Sequence, residues 1–422
     1  MAVGGEPERR DPAHSAPAQQ GGSAAGCDGR RYFDRVCTPE ETFERVRAFL
    51  PRYGITRLAR LTSLDRVGIP VWNAVAPNAL SIVINQGKGI SDAAARTSAA
   101  MEALERAIAG RPTVAMRITS RRHLMVEGLA TETLDGLIAA RASDIAEDDV
   151  LAWAEGFELL ENRPIFVPLE AAMLDRTRDG MRFWQSSDGL ASGNTPQEAI
   201  LHGLLERIER DAEALWHFRP RKTRHRRCVD PASFGDPVLS DLVKRIDEAD
   251  LQLRLFDITS DVAVPSYLAL LAEGAALRGR AARYLDVTNG SGTHPAAVRA
   301  AIRAVTEAAQ SRLTHISGAR DDIDPRLFAA PLPDALRAEF DAVPAVTDPQ
   351  QSHEDPGLEQ MLHATLGCLR AARIGCVIAV PLSEPDLPFA VAKVFVPGLE
   401  SPSGERKRRY GARAISMALV PS

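Results

Sequence analysis

The sequence predicts an α/β fold assembled from repeated units of strand, glycine loop and helix. Three observations carry that expectation. Ser91 is followed 11, 14 and 15 positions on by Glu102, Glu105 and Arg106, and Thr195 is followed at the same offsets by Glu206, Glu209 and Arg210. In both cases a glycine lies two positions before the hydroxyl (Gly89, Gly193), behind a strand-like segment. A partial third copy starts at Gly292-Thr293, with Glu307 14 positions after Thr293 and then Gln310 and Arg312. The repeats therefore lie near residues 80–110, 185–212 and 285–315.

Bulk properties narrow the setting. The 422 residues, 45% hydrophobic and 25% charged, suit a soluble globular chain of one large composite or two to three ordinary domains. A net charge of −5 gives no general argument for nucleic acid or membrane binding. Cys27, Cys37, Cys228, Cys368 and Cys376 are too scattered for a disulfide framework or a zinc site, which fits a reducing, cytoplasmic location. No run approaches the roughly 18 apolar residues of a membrane span. The N-terminal stretch lacks the apolar core of a signal peptide.

Residues 1–30, rich in Ala, Gly, Pro and Ser, read as a disordered tail, so that a single ordered domain covers 31–422. A T-x-x-E box from Thr38 to Glu41 opens a helix through Phe43, Val46 and Phe49. Strands are expected at 56–61, 69–76 and 81–85. The following Gln86-Gly87-Lys88-Gly89 reads as a loop where glycines let a backbone approach a ligand and the next helix N-terminus favours an anion. It lacks the spacing of a Walker A loop. Ser91 and Gly110 bracket the first repeat helix.

A polar helix is expected at 131–141, and strands at 157–160 and 165–169. Thr195 is a good N-cap, Pro196 suits the first helical position, and Glu198 completes a capping box. The basic run 219–227 reads as a solvated linker, because only Phe218 offers a stacking ring. Strands follow at 252–257 and 262–270. Residues 321–354, rich in Pro and Asp, suggest an irregular loop covering a site. Strands at 375–380 and 389–396 precede a loop-like C-terminal end.

One ExxER motif on a helix is ordinarily a solvated charged face. Two of them at matched offsets place four carboxylates on two helices, an arrangement prohibitively repulsive when dry and unpaired. Divalent cations resolve that conflict, and hard oxygen ligands with room for water suit Mg²⁺ brought in with a nucleotide phosphate. No G-x-S-x-G elbow, H-E-x-x-H motif or Cys/His cluster argues for nucleophilic or zinc chemistry. His202 reads as a packed or exposed helix residue.

Several separated motifs resemble the YcaO family across roughly residues 31–422. They are TSLDRVGIPV (62–71), NQGKG (85–89), SAAMEALER (98–106), DGLASGNTPQEAILHGLLERIERDA (188–212), TEAAQSR (306–312) and KVFVPGLE (393–400). The resemblance implies a composite α/β fold around a central ATP and Mg²⁺ site. It implies activation of a peptide backbone amide, whose oxygen takes a phosphoryl group before a nucleophile displaces it.

By the same resemblance, Glu102, Glu105, Glu206 and Glu209 look like Mg²⁺ ligands. Ser98, Asn194, Glu198, Arg210 and Arg312 look like nucleotide contacts, with Gln310 and Lys88 in the matching motifs. Arg35 and Thr42 fall where the family has a cation and a hydroxyl. No catalytic residue separate from the ATP and Mg²⁺ site is expected. Glu198 thus has two readings, as a capping residue and as a residue facing the nucleotide.

Asp188 stands where the family often has Asn. The end AISMALVPS lacks the proline-rich tail common in azoline-forming members, and no N-terminal leader-binding domain is expected. That combination resembles stand-alone members that install thioamides with a TfuA partner. The expected function is thioamidation of a ribosomal natural-product precursor peptide or a cellular protein. An azoline-forming cyclodehydratase acting on Cys, Ser or Thr, with a separate leader-binding protein, is the alternative; a non-catalytic peptide-binding adaptor is the second. The resemblance further implies a homodimer.

Overall fold

Among the described residues, apolar and β-branched runs broken by Gly, Pro and Asn separate into three sheets in which every strand pairing is antiparallel. The structure, a computed structural model, describes residues 32, 35–279, 282–347, 357–402 and 404–419. The tail expected at 1–30 lies outside them. One sheet has the order β1 (Arg57–Arg60), β2 (Val71–Val75), β3 (Ile84–Lys88). A second runs β4 (Met116–Ser120), β5 (Val150–Glu158), β12 (Ile378–Pro381), β13 (Ala390–Phe395), β7 (Leu190–Gly193), with β6 (Arg163–Pro168) also paired to β5. The third runs β11 (Val287–Thr293), β10 (Ser266–Glu273), β9 (Leu251–Asp257), β8 (Cys228–Val229).

The longer helices are α1 (Pro39–Val46), α2 (Asp92–Gly110), α5 (Pro196–His217), α7 (Pro237–Glu248), α9 (Ala297–Ser317), α11 (Leu358–Ala371) and α12 (Ala412–Leu419). Short helices α3 (Arg121–Val126), α4 (Leu169–Ala172), α6 (Arg221–His225), α8 (Gly274–Arg278) and α10 (Asp334–Arg337) fill connections. None of the described helices is long and apolar enough to cross a membrane.

Three strand–helix pairs organise the centre. Helix α2 lies on β3, α5 on β7 and β13, and α9 on β11 and β10, so each pair belongs to a different sheet. The helices come close because their inner faces are alanine-rich and the strands carry glycine. A Cβ on Gly87 would sit 2.0 Å from the Ala99 nitrogen of α2, and one on Gly290 would sit 2.2 Å from the Ala308 nitrogen of α9. Gly87 therefore serves helix-on-strand packing inside β3, not a ligand-facing loop. Each helix also reaches the next unit's strand: α2 meets β7, α5 meets β11, and α9 meets β3. On its outer side α5 packs Leu201, Leu204, Leu205 and Ile208 against Met361, Leu366 and Leu369 of α11.

The caps follow the sequence in two of the three repeats. Ser91 accepts from the Ala94 amide and Thr195 from the Glu198 amide. Thr38 and Glu41 form the full reciprocal box. In the third unit β11 continues through Thr293, and α9 begins at Ala297 without a side-chain cap. Glu198 completes only half a box, since its carboxylate turns to Asn194 and not to the Thr195 amide.

Other expectations need correction. Residues 131–141 form no α-helix; Leu134 adopts a left-handed conformation (φ 54°), a 3₁₀ turn spans Asp135–Leu137, and Thr131 and Ile138 make isolated bridges to Phe166 and Phe183. Local polarity suggested a helix there, but the segment is pinned to neighbouring strands. The loop expected at 321–354 contains α10 and two 3₁₀ turns, and its Leu332, Phe340 and Ala342 join the core over the third sheet; residues 348–356 lie outside the description. The C-terminal end forms α12, held by Arg413 bridging buried Asp211 (2.7 Å) and Asp261 (2.6 Å). The basic run is half structural. Arg224 pairs with Glu339, and Arg227 binds the Asp257 and Thr259 carbonyls, while Arg221, Lys222 and Arg226 are exposed.

Candidate functional site

Helical spacing puts Glu206 and Glu209 one turn apart on α5, and Glu102 and Glu105 likewise on α2. Because α2 and α5 both pack on β7, the two pairs meet. Burial pushes the Glu105 carboxyl well up, and Glu102 and Glu206 push it further. Glu206 is raised to about 7 by burial, against the pull of Arg210 and with the push of Asp188 and Glu209. Glu209 is raised by burial too, partly offset by Arg210. Burial is the first cause in each case, and neighbouring carboxylates add to it.

Polar neighbours fix each carboxylate. The Ser192 hydroxyl donates to Glu105 (3.2 Å), the Gly189 amide to Glu206 (3.2 Å), the Ser291 hydroxyl to Glu209 (3.2 Å), and Arg106 to Glu102 (3.2 Å). Arg210 lies 2.7 Å from Glu213, 3.3 Å from Glu209 and 4.0 Å from Glu206. Burial alone would disfavour its charge, but Glu213, Glu209, Glu307 and Glu206 hold the guanidinium protonated. Among the described residues no three carboxylate, imidazole or thiol groups converge on one point as a ready chelate. Glu105 and Glu206 feel each other's charge across the two helices, and an all-oxygen donor set of this kind suits a hard divalent cation that keeps part of its water.

A second cluster lies at the N-terminus of α5. Glu198, almost fully buried, accepts from the Asn194 backbone amide (2.7 Å), the Asn194 side-chain amide (3.0 Å) and the Val36 amide, with Arg35 3.6 Å away. Thr42 donates to the Asn194 side-chain oxygen (3.0 Å). Arg35 also donates to the Ser192 carbonyl (3.1 Å), which joins this cluster to the residue bonded to Glu105. Arg35, Thr42, Asn194 and Glu198, distant in sequence, are thus one network.

The remaining candidates divide. Ser98 is half-buried one turn before Glu102 on the same face of α2. Lys88, the last residue of β3, pairs with Glu307. Arg312 is engaged by Glu273 (2.8 Å) and Asp65 (3.3 Å), while Gln310 is half-buried on the same helix.

Two neighbours of the cluster escaped sequence reasoning. Lys393 on β13 is buried, donates to the Ser186 carbonyl, and is lowered to about 8 by burial against the pull of Asp188, Glu206 and Glu105. It is the first residue of the KVFVPGLE motif, which gave it no role of its own. Arg207 binds Asp188 (3.4 Å), the Ser401 hydroxyl (2.9 Å) and the Glu400 carbonyl (3.1 Å). Burial tends to raise Asp188, but Arg207, Arg210 and Lys393 keep its carboxyl below the usual range. A cavity of about 280 Å³ adjoins this pair, bounded by Asp188, Lys393, Trp184, Arg406, Leu137 and Phe395.

Comparisons with known proteins converge on one family. Residues 86–400 match the model described as YcaO cyclodehydratase, ATP- and Mg²⁺-binding. An uncharacterized protein from the tfuA 3′ region of Rhizobium leguminosarum bv. trifolii is 40% identical over 392 residues, 91% of this chain and 93% of that protein. An uncharacterized protein of Methanothermobacter thermautotrophicus is 33% identical over 382 residues, 86% of this chain and 94% of its own. The structure of YcaO from Methanopyrus kandleri bound with AMPPCP and Mg²⁺ has the same fold, with a TM-score of 0.68 at 23% identity over 87% of this chain and 92% of that one. A heterocyclase in complex with substrate and cofactor gives 0.69 at 22% identity over 87% of this chain, which spans only 53% of that larger protein. With three quarters of its length matched by the family model, the chain belongs to the YcaO family.

Proposed function

We propose that the protein uses ATP and Mg²⁺ to activate a peptide backbone amide and that sulfur then replaces the amide oxygen, giving a thioamide with the help of a TfuA-like partner. The observation that carries the reading is the approach of Glu105 and Glu206 from two helices, each with its own helix partner, Glu102 or Glu209, one turn away, and with the Glu105, Glu206 and Glu209 carboxyls raised by burial. The 40% identical relative from a tfuA 3′ region supports the sulfur branch and the partner.

The amide oxygen attacks the γ-phosphorus, the β–γ oxygen bond breaks, and ADP leaves. Hydrosulfide adds to the amide carbon, the carbon–oxygen bond breaks, and phosphate departs with the original oxygen and the sulfur's proton. Phosphoryl transfer of this kind asks the protein for positioning and charge neutralisation. Mg²⁺, when bound, supplies part of that neutralisation, held by the four glutamates. Arg210 adds a guanidinium that four carboxylates keep charged, and Lys88 adds an ammonium. Asn194, Glu198, Arg35 and Thr42 hold the N-terminus of α5, with Ser98, Gln310 and Arg312 as further nucleotide contacts. The cavity beside Lys393 and Asp188 is the space that brings the peptide amide next to the cluster.

Titration calorimetry tests the first step: ATP binding that needs Mg²⁺ is expected, with loss of at least tenfold in affinity in Glu206→Ala/Glu209→Ala. Wild-type protein that binds no ATP, or a double variant that binds it unchanged, overturns the reading and leaves the adaptor role. The family model's cyclodehydratase description supports azoline formation as the second reading. Mass spectrometry of the modified peptide separates the two: exchange of oxygen for sulfur makes it heavier, and cyclodehydration makes it lighter by one water. Two chains per particle are expected by light scattering.

A further inference from the structure

The basic run at 219–227 has no part in the amide chemistry, and the fold gives it a companion. Phe218, at the C-terminal end of α5, packs edge-on against Tyr410, with ring centroids 5.0 Å apart and 87° between the planes. That contact sets Arg219–Arg227 beside the run Arg406-Lys407-Arg408-Arg409, so that ten cations collect at one end of α5 in a chain of net charge −5. Three of them are neutralised: Arg224 by Glu339, Arg227 by Asp257 (3.1 Å) and Lys407 by Asp144 (2.7 Å). Arg221, Lys222, Arg226, Arg408 and Arg409 are exposed and make no ion pair among the described residues. Burial and a neighbouring guanidinium disfavour the charge of Arg219, beside Arg227, and of Arg406, beside Arg207.

The patch is continuous with the site. Arg406 begins the second run and also bounds the cavity of about 280 Å³ that Asp188 and Lys393 line, and its Nε is buried without a hydrogen-bond partner. Its Nη2 donates to the Ser401 (3.2 Å) and Arg409 (2.9 Å) carbonyls, which ties the cavity wall to the exposed run. Along α5, Phe218 lies two and a half turns beyond Glu209, about 14 Å at the helical rise. An extended peptide covers that span in about four residues.

We propose that this surface docks an acidic stretch of the substrate peptide, about four or more residues along the chain from the amide that is modified. The inference rests on the reading of the protein as an amide-activating enzyme and adds the class of peptide it takes. Two observations favour a peptide over a nucleic acid. The patch shares Arg406 with the cavity beside the glutamates, and its two rings are turned on each other, with Arg409 over the Tyr410 ring (5.1 Å). Single-stranded nucleic acid is ordinarily gripped by rings left free for stacking.

Fluorescence anisotropy of the full-length protein, with a fluorescein-labelled glutamate octapeptide and an oligothymidylate of the same length, tests this at about 0.1 M salt. Arg221→Glu/Lys222→Glu and Arg408→Glu/Arg409→Glu are each expected to weaken peptide binding about tenfold, with the affinity for ATP and Mg²⁺ unchanged. Wild-type protein that does not bind the glutamate peptide, or binds the oligonucleotide more tightly, overturns the proposal. Unchanged peptide affinity in either folded variant does so too. Should the charge reversals not fold, Arg408→Gln/Arg409→Gln decides in their place, and peptide affinity equal to wild type overturns the proposal. Wild-type protein that binds the peptide through both runs but binds no ATP removes the amide-activation reading alone and leaves the acidic-peptide surface standing.

Discussion

Glu206 stands where the carboxylates of α2, those of α5, Asp188 and the cations Arg210 and Lys393 act on one another. Its raised pKa has a definite sign in stability. An ordinary unfolded value near 4.5 and a folded value of about 7 mean that its contribution is complete below pH 4.5 and is lost as the pH rises through 7. Metal-free protein is therefore expected to melt lower at pH 8 than at pH 5.5, with the slope reduced in Glu206→Gln and reversed in part by Mg²⁺; thermal melts in EDTA across that range measure it. At this scale the ExxER spacing displayed the acidic members. Lys393 stayed hidden because a lysine within an apolar strand carries no mark of its three carboxylate neighbours.

At the scale of the element, the capped helices were legible and the glycines were misread. Thr38→Ala, which removes a complete capping box, is expected to cost about 0.5–2 kcal/mol in urea denaturation. Gly87→Ala is a harsher change, because its Cβ would fall onto the backbone of α2. Overpacking of this kind costs about 1–3 kcal/mol or more, and here it should also displace Glu102 and Glu105 and weaken ATP binding. Helix α12 escaped notice because its anchor is remote. Arg413→Ala leaves Asp211 buried without its guanidinium, a loss of about 3–5 kcal/mol that the same denaturation series would detect.

For the whole molecule, the site belongs to the circle of three strand–helix units and to no single element. A ligand that binds only the folded state at a hundred times its dissociation constant adds about 2.7 kcal/mol. ATP with Mg²⁺ is thus expected to raise the melting temperature by several degrees, and ATP with EDTA should do so far less. An equal shift under both conditions would count against carboxylate-held metal. The same circular packing explains why Arg35 and Thr42, more than 150 positions from Asn194 and Glu198, end within one hydrogen-bonded network.

The sequence by itself determined the α/β class, two capped repeat helices and the matched glutamate pairs, because capping chemistry and 3.6-residue periodicity are local and can be read along one strand of text; the family was legible from the resemblance of its separated motifs. Only the tertiary structure decided which strand each glutamate meets. It turned the Gln86–Gly89 segment into a packed strand end, gave Lys88 to Glu307, and set Lys393 and Asp188 beside Glu206. Those pairings depend on how three separate sheets close around one centre, and burial there converts ordinary surface charges into strongly interacting ones.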